Sequence, residues 1–118
     1  TFKTITFAAE PASAGTPYLM YTAASGTTTV VLGLILTNLH NAAVTVDVEL
    51  VSDTANRNGA NNVANGTSLL VKDVTIPSGS SLEILTGSKV VLETTDAIKV
   101  DCSVADKLSG TLSIMEIT

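Results

Sequence analysis

The sequence predicts an all-β protein: a single-domain antiparallel β-sandwich, jelly-roll-like, with about eight strands. Three observations predict it. Apolar and polar residues alternate at period two, as in Ala43 to Val51, "AVTVDVELV". Short β-prone runs are punctuated by turn residues such as Pro77-Ser78-Gly79. No stretch carries the i, i+3, i+4 spacing of an amphipathic helix. At 118 residues the chain suits one domain around one core.

Each element has its own warrant. Thr1 to Ala8 can form a strand, and Tyr18 to Thr22 another; between them "AAEPASAGTP" holds two prolines and a glycine and reads as a loop or extended arm. Residues 1–17 are therefore set apart as an N-terminal strand and arm, and residues 18–118 as the sandwich. Val30 to Leu36, "VVLGLIL", is apolar on both faces. The threonines before it and Gly33 within it disfavour a helix, so it reads as a central strand covered on both sides, one side by its own core and the other by a neighbouring subunit. In Ala43 to Val51, Val44, Val46, Val48 and Leu50 point inward, and Thr45, Asp47 and Glu49 outward.

Leu69 to Ile76 is the next strand, closed by the Pro77-Ser78-Gly79 turn, and Ser81 to Leu85 and Lys89 to Glu93 follow it. Ile98 to Val104 repeats the alternation, with Ile98, Val100, Cys102 and Val104 inward. Asp96 is expected to cap the turn before it. In Thr111 to Ile117, Leu112 and Ile114 fall out of phase with Met115 and Ile117, which points to a bulge or a buried edge. Ser52 to Ser68, "SDTANRNGANNVANGTS", is a long polar loop, of a length more often functional than incidental.

Composition narrows the function classes. Only 14% of residues are charged, against about 25% in an average domain, so Ser, Thr, Ala, Asn and Gly cover much of the surface. Such a skin favours close contact with other protein. Net charge is -5 and the six basic residues are scattered, which removes the electrostatic footing of a nucleic-acid surface. Aromatics make up 3% and Trp is absent, so base or sugar stacking lacks its usual tool. The longest apolar run, Val30 to Leu36, is far short of the roughly 18 residues of a membrane span. No signal peptide is expected, since no charged n-region followed by an apolar h-region is in view, and the Thr1 start is expected to reflect a trimmed initiator Met.

Chemistry is sparse. Cys102, the single cysteine, lies on an apolar strand face and reads as a small hydrophobe rather than a nucleophile. His40 sits in a turn with no marked partner. Asp47 and Glu49 share one outward strand face, the signature of solvation and not of a glycosidase cleft. Asn56, Asn58 and Gly59 fit part of a calcium loop, but Thr54 and Asn65 stand where carboxylates are needed. Asn65-Gly66-Thr67 matches a glycosylation sequon and is better read as a turn. No enzymatic activity, cofactor or metal is expected.

Four stretches carry a family resemblance: "VVLGLILTNLHNAAVTVDVELV", "LLVKDVTIPSGSSLEIL", "KVVLETTDAIKVDCS" and the closing "LSIMEIT". Together they resemble small virion structural proteins of tailed bacteriophages, especially of marine and cyanobacterial phages. In that family a strand ends in Pro-x-Gly, a Lys-led apolar run closes on Glu, and an acidic turn leads into an "IKV" strand. Relatives often place Gly before the turn aspartate, where this chain has Thr95.

The resemblance implies a non-enzymatic β-sandwich subunit of the particle, assembled in the host cytoplasm. A capsid decoration (cement) protein that stabilises the head through multivalent contacts is the leading expectation, a neck or tail accessory protein the alternative, and a host-glycan binding module a third. Expected partners are further copies of the chain, plausibly as a trimer, and the major capsid protein or other virion proteins, with neither nucleic acid nor membrane. Candidate interface residues are Phe2, Ile5, Phe7, Pro11 and Pro17 in the N-terminal segment, and Asn56, Arg57, Asn58, Asn61 and Asn62 in the polar loop.

Overall fold

The computed structural model describes residues 1–52, 66–84 and 89–118. Among these residues the chain forms nine strands and no helix. They are β1 (Phe2–Glu10), β2 (Tyr18–Thr22), β3 (Thr28–Asn38), β4 (Val44–Ser52), β5 (Gly66–Ile76), β6 (Ser81–Ile84), β7 (Val90–Leu92), β8 (Ala97–Cys102) and β9 (Leu108–Ile117). One sheet runs β1-β9-β3-β6, with β7 also paired to β3, and the other runs β2-β8-β4-β5. All pairings are antiparallel.

The pairing is nested along the chain. β4 pairs with β5, β3 with β6, β2 with β8 and β1 with β9. A long antiparallel ribbon wrapped in this way is a jelly roll, so the predicted architecture is the one observed.

Alternation builds the core. Val44, Val46 and Val48 of β4 face Ile98, Val100 and Cys102 of β8 within one layer; Val31, Leu34 and Leu36 of β3 and Leu108, Leu112 and Ile114 of β9 fill the other. Each of these side chains is at most 2% exposed. Burying one such Leu or Val is worth about 1.5–3 kcal/mol, so this double layer is the main source of stability.

Three features of the sequence resolve differently from expectation. The N-terminal segment gives its strand to the sandwich itself: β1 lies along β9 from Phe2↔Met115 to Glu10↔Leu108. Phe7 and Pro11 are buried there, and residues 11–17 carry the chain across to β2. β9 is neither an edge nor bulged against β1 at its C-terminal end; the bulge belongs to its other neighbour, β3, where Leu32 and Gly33 together oppose Ser113. β8 ends at Cys102, and Val104 packs on the core from the following bend.

Asp96 caps its turn as expected. It is 4% exposed, its Oδ2 accepts from the Glu93 N–H at 3.1 Å, and its own N–H donates to the Glu93 carbonyl at 2.9 Å. The turn then continues the β2–β8 pairing onto Ala23, just past β2: Thr95 N–H donates to Ala23 O, and Ala23 N–H to Asp96 O, both at 2.9 Å.

Thr95 has φ of 68°. A left-handed backbone crowds a β-branched side chain and costs roughly 1–2 kcal/mol. Thr95→Gly is therefore expected to raise stability by about 0.5–1 kcal/mol, after the entropy cost of the added glycine. Chemical denaturation measures this; an unchanged or lowered midpoint would show that the turn carries no such strain.

Candidate protein interface

The outer faces of the two sheets differ in kind. On the β2-β8-β4-β5 sheet the outward positions include Asp47, Glu49, Lys99 and Asp101. Glu49 stands opposite Lys99, Asp47 opposite Asp101, and Asp47 Oδ1 accepts the Asp73 N–H at 2.6 Å. This face is acidic along β4 and β8, with Leu19 and Leu69 exposed on its two edge strands.

The outer face of the β1-β9-β3 sheet is different. Register places Phe2 opposite Met115, Met115 opposite Val30, and Val30 opposite Val91. One apolar row thus crosses β1, β9, β3 and β7. Leu32, Ile35 and Ile117 extend it to either side, and Thr4, Thr6, Thr37, Thr111 and Ser113 fill the remaining positions. Among the outward-pointing described residues of this sheet's strands, Glu83 alone is charged.

Of seven large hydrophobics exposed among the described residues, four lie here: Phe2 at 74%, Val91 at 54%, Ile117 at 50% and Ile35 at 42%. Scattered exposed apolar side chains are ordinary on a monomer, but a contiguous row of them marks a contact surface.

The β3 bulge shapes this face. With two residues against one, Leu32 leans over Ser113 toward Phe2 and Thr4, and Gly33 leaves a gap beside it. A depression of about 170 Å³ opens at Gly33, walled by Ile35, Glu83, Ile84, Thr111 and Ser113. A methyl group added at Gly33 would meet no atom within 4 Å.

A polar cluster closes the same end of the sandwich from inside. Glu116 of β9 holds Lys3 Nζ of β1 on Oε1 at 2.7 Å and accepts the Tyr21 hydroxyl of β2 on Oε2 at 2.7 Å. Tyr21 also shares a 2.8 Å hydrogen bond with Thr29 of β3. The Lys3 and Tyr21 bonds hold the Glu116 carboxyl below its ordinary pKa, and burial pushes the Tyr21 phenol up. This cluster ties the two sheets together beneath Phe2 and Met115.

The residues singled out from sequence separate into three groups. Phe2 lies on the apolar face. Ile5 is half-buried against the core, Phe7 is 8% exposed with its ring 5.0 Å from Tyr18, Pro11 is buried and Pro17 half-buried. Phe7 and Pro11 thus lie buried within the chain itself, Phe7 against Tyr18 of the second sheet, while Ile5 is half-buried against the core. Asn56, Arg57, Asn58, Asn61 and Asn62, with most of the Ser52–Ser68 loop and its calcium reading, lie outside the described residues.

The residues without assigned chemistry hold structural posts. His40 donates its backbone N–H to Asn38 Oδ1 and accepts the Ser78 hydroxyl on its carbonyl. Cys102 is 2% exposed, and burial pushes its thiol pKa up, away from nucleophilic use. Among the described residues no group of three metal-ligating side chains converges.

Val30, Leu32, Ile35, Val91, Met115 and Ile117 escaped the list of candidate interface residues. The two-faced run "VVLGLIL" and the phase break at Met115 carried part of the signal; Val91, in a stretch that reads as plain scaffold, carried none. Neither protein-family models nor curated proteins give a match to this chain.

Proposed function

We propose that this chain is a non-enzymatic structural protein of a phage virion, and within that class a capsid decoration protein that stabilises the head by repeated protein contacts. The observation that carries the reading is the apolar, almost uncharged outer face of the β1-β9-β3 sheet. Such a face suits lasting contact with protein, and offers little to a charged ligand. The jelly-roll nesting adds a fold-level analogy, since viral capsid domains use that architecture. The sequence resemblance supports the setting of that reading, assembly in the host cytoplasm and residence in the virion.

Quantitative mass spectrometry of purified particles tests this. On the order of hundreds of copies per particle are expected of a protein spread over a shell. A count of about six or twelve, that of a ring, would move it to the neck or tail. Absence from the particle would overturn the virion reading.

A further inference from the structure

We propose that the occupant of the apolar face is a second copy of the same chain, packed sheet against sheet about a two-fold axis. This deepens the reading of that face as a protein contact and rests on it.

Charge favours this face over the opposite one for contact between copies. The chain carries a net charge of -5, so two copies repel wherever their acidic surfaces meet. The β2-β8-β4-β5 face would set Asp47 and Asp101 of one copy near those of the other. Among the described residues the β1-β9-β3 face brings only Glu83, on the wall of the Gly33 depression, and is the surface on which self-contact costs least in repulsion.

Shape favours it too. The face bears a knob, Phe2 at 74% exposure, and a hole, the depression at Gly33. Its volume of about 170 Å³ is that of a site able to seat a phenyl ring, since a cavity of about 150 Å³ binds benzene. A two-fold axis in the plane of the contact, midway between Phe2 and Gly33, sets each Phe2 over the other copy's Gly33. That midpoint lies by Leu32 and Ser113, inside the apolar row. Knob and hole on one face make the surface self-complementary, which a two-fold contact requires.

The area is sufficient. Four strand positions about 4.8 Å apart and ten residues at about 3.3 Å cover roughly 600 Å² of sheet plane, and side-chain relief raises this toward the ~800 Å² each partner gives to a stable interface.

Sedimentation of the isolated protein tests the pairing without any particle. A dimer is expected at about 100 µM, and Phe2→Asp and Gly33→Gln should each weaken it roughly 30-fold or more while leaving the circular dichroism spectrum unchanged. Both positions are open to solvent, so neither substitution disturbs the core.

A second measurement reads the geometry directly. Phe2→Cys protein mixed with Gly33→Cys protein should form a covalent heterodimer on oxidation, while neither does so alone. Phe2 and Gly33 sit on strands separated by β9, too far apart for a bond within one chain. A monomer, a trimer, or a dimer that survives both substitutions and does not cross-link would overturn the proposal. Each of those results leaves the particle count free to decide the virion reading on its own.

Discussion

Asn38→Asp is expected to be among the most damaging single changes in this protein, costing about 3 kcal/mol or more of stability. Asn38 ends β3 and is 1% exposed. Its Nδ2 donates to Ala42 O at 2.9 Å and to Ile76 O at 3.0 Å, and its Oδ1 accepts the His40 N–H at 2.7 Å. Three backbone groups from the β3–β4 turn and the end of β5 thus converge on one side-chain amide. Aspartate keeps the acceptor but turns a negative oxygen toward two carbonyls, with no donor left for either.

Asn38→Ala removes the charge problem and still leaves the buried Ile76 carbonyl without its side-chain donor. It is expected to cost about 2 kcal/mol. Denaturant midpoints measured for both variants check the order. Equal and small losses would mean that water replaces the amide.

Gly110→Ala is expected to cost about 2 kcal/mol, an overpacking penalty, although it adds only one methyl group. Gly110 of β9 lies opposite Phe7 of β1, and a Cβ there would overlap the Phe7 ring. The ring cannot swing clear cheaply, because it is buried and packs against Tyr18 of the other sheet, at 58° between ring planes. The glycine is thus required by close approach in an extended strand, and not by a turn.

A double-mutant cycle isolates that cause. In a Phe7→Leu background the added methyl group meets a smaller, more adaptable side chain, and Gly110→Ala should then cost about 1 kcal/mol less than in the native chain. Additive effects would place the cost in backbone or strand pairing rather than in the ring.

Both residues show where sequence reading stops. Nothing local distinguishes Asn38 in "TNLHNAA" from a polar turn residue, because its partners come from the β3–β4 turn and from β5, 38 positions away. Gly110 in "KLSGTLS" resembles a turn glycine, and only pairing with β1 across the whole length of the chain reveals its purpose. Thr95 is a third case: its local sequence signals no strain, and its positive φ gives a β-branched residue there a physical cost.

The sequence by itself determined the all-β class, the inward faces of β4 and β8, the Pro77–Gly79 turn, the capping role of Asp96 and the burial of Cys102. All of these follow from period-two alternation and turn chemistry, which act between near neighbours in the chain. Only the tertiary structure decided that the N-terminal strand joins its own sandwich, that the bulge lies in β3, and that Phe2, Met115, Val30 and Val91 form one row. Those outcomes depend on register between strands as far apart as β1 and β9. Register is set by how whole faces pack, and no window of local sequence contains it.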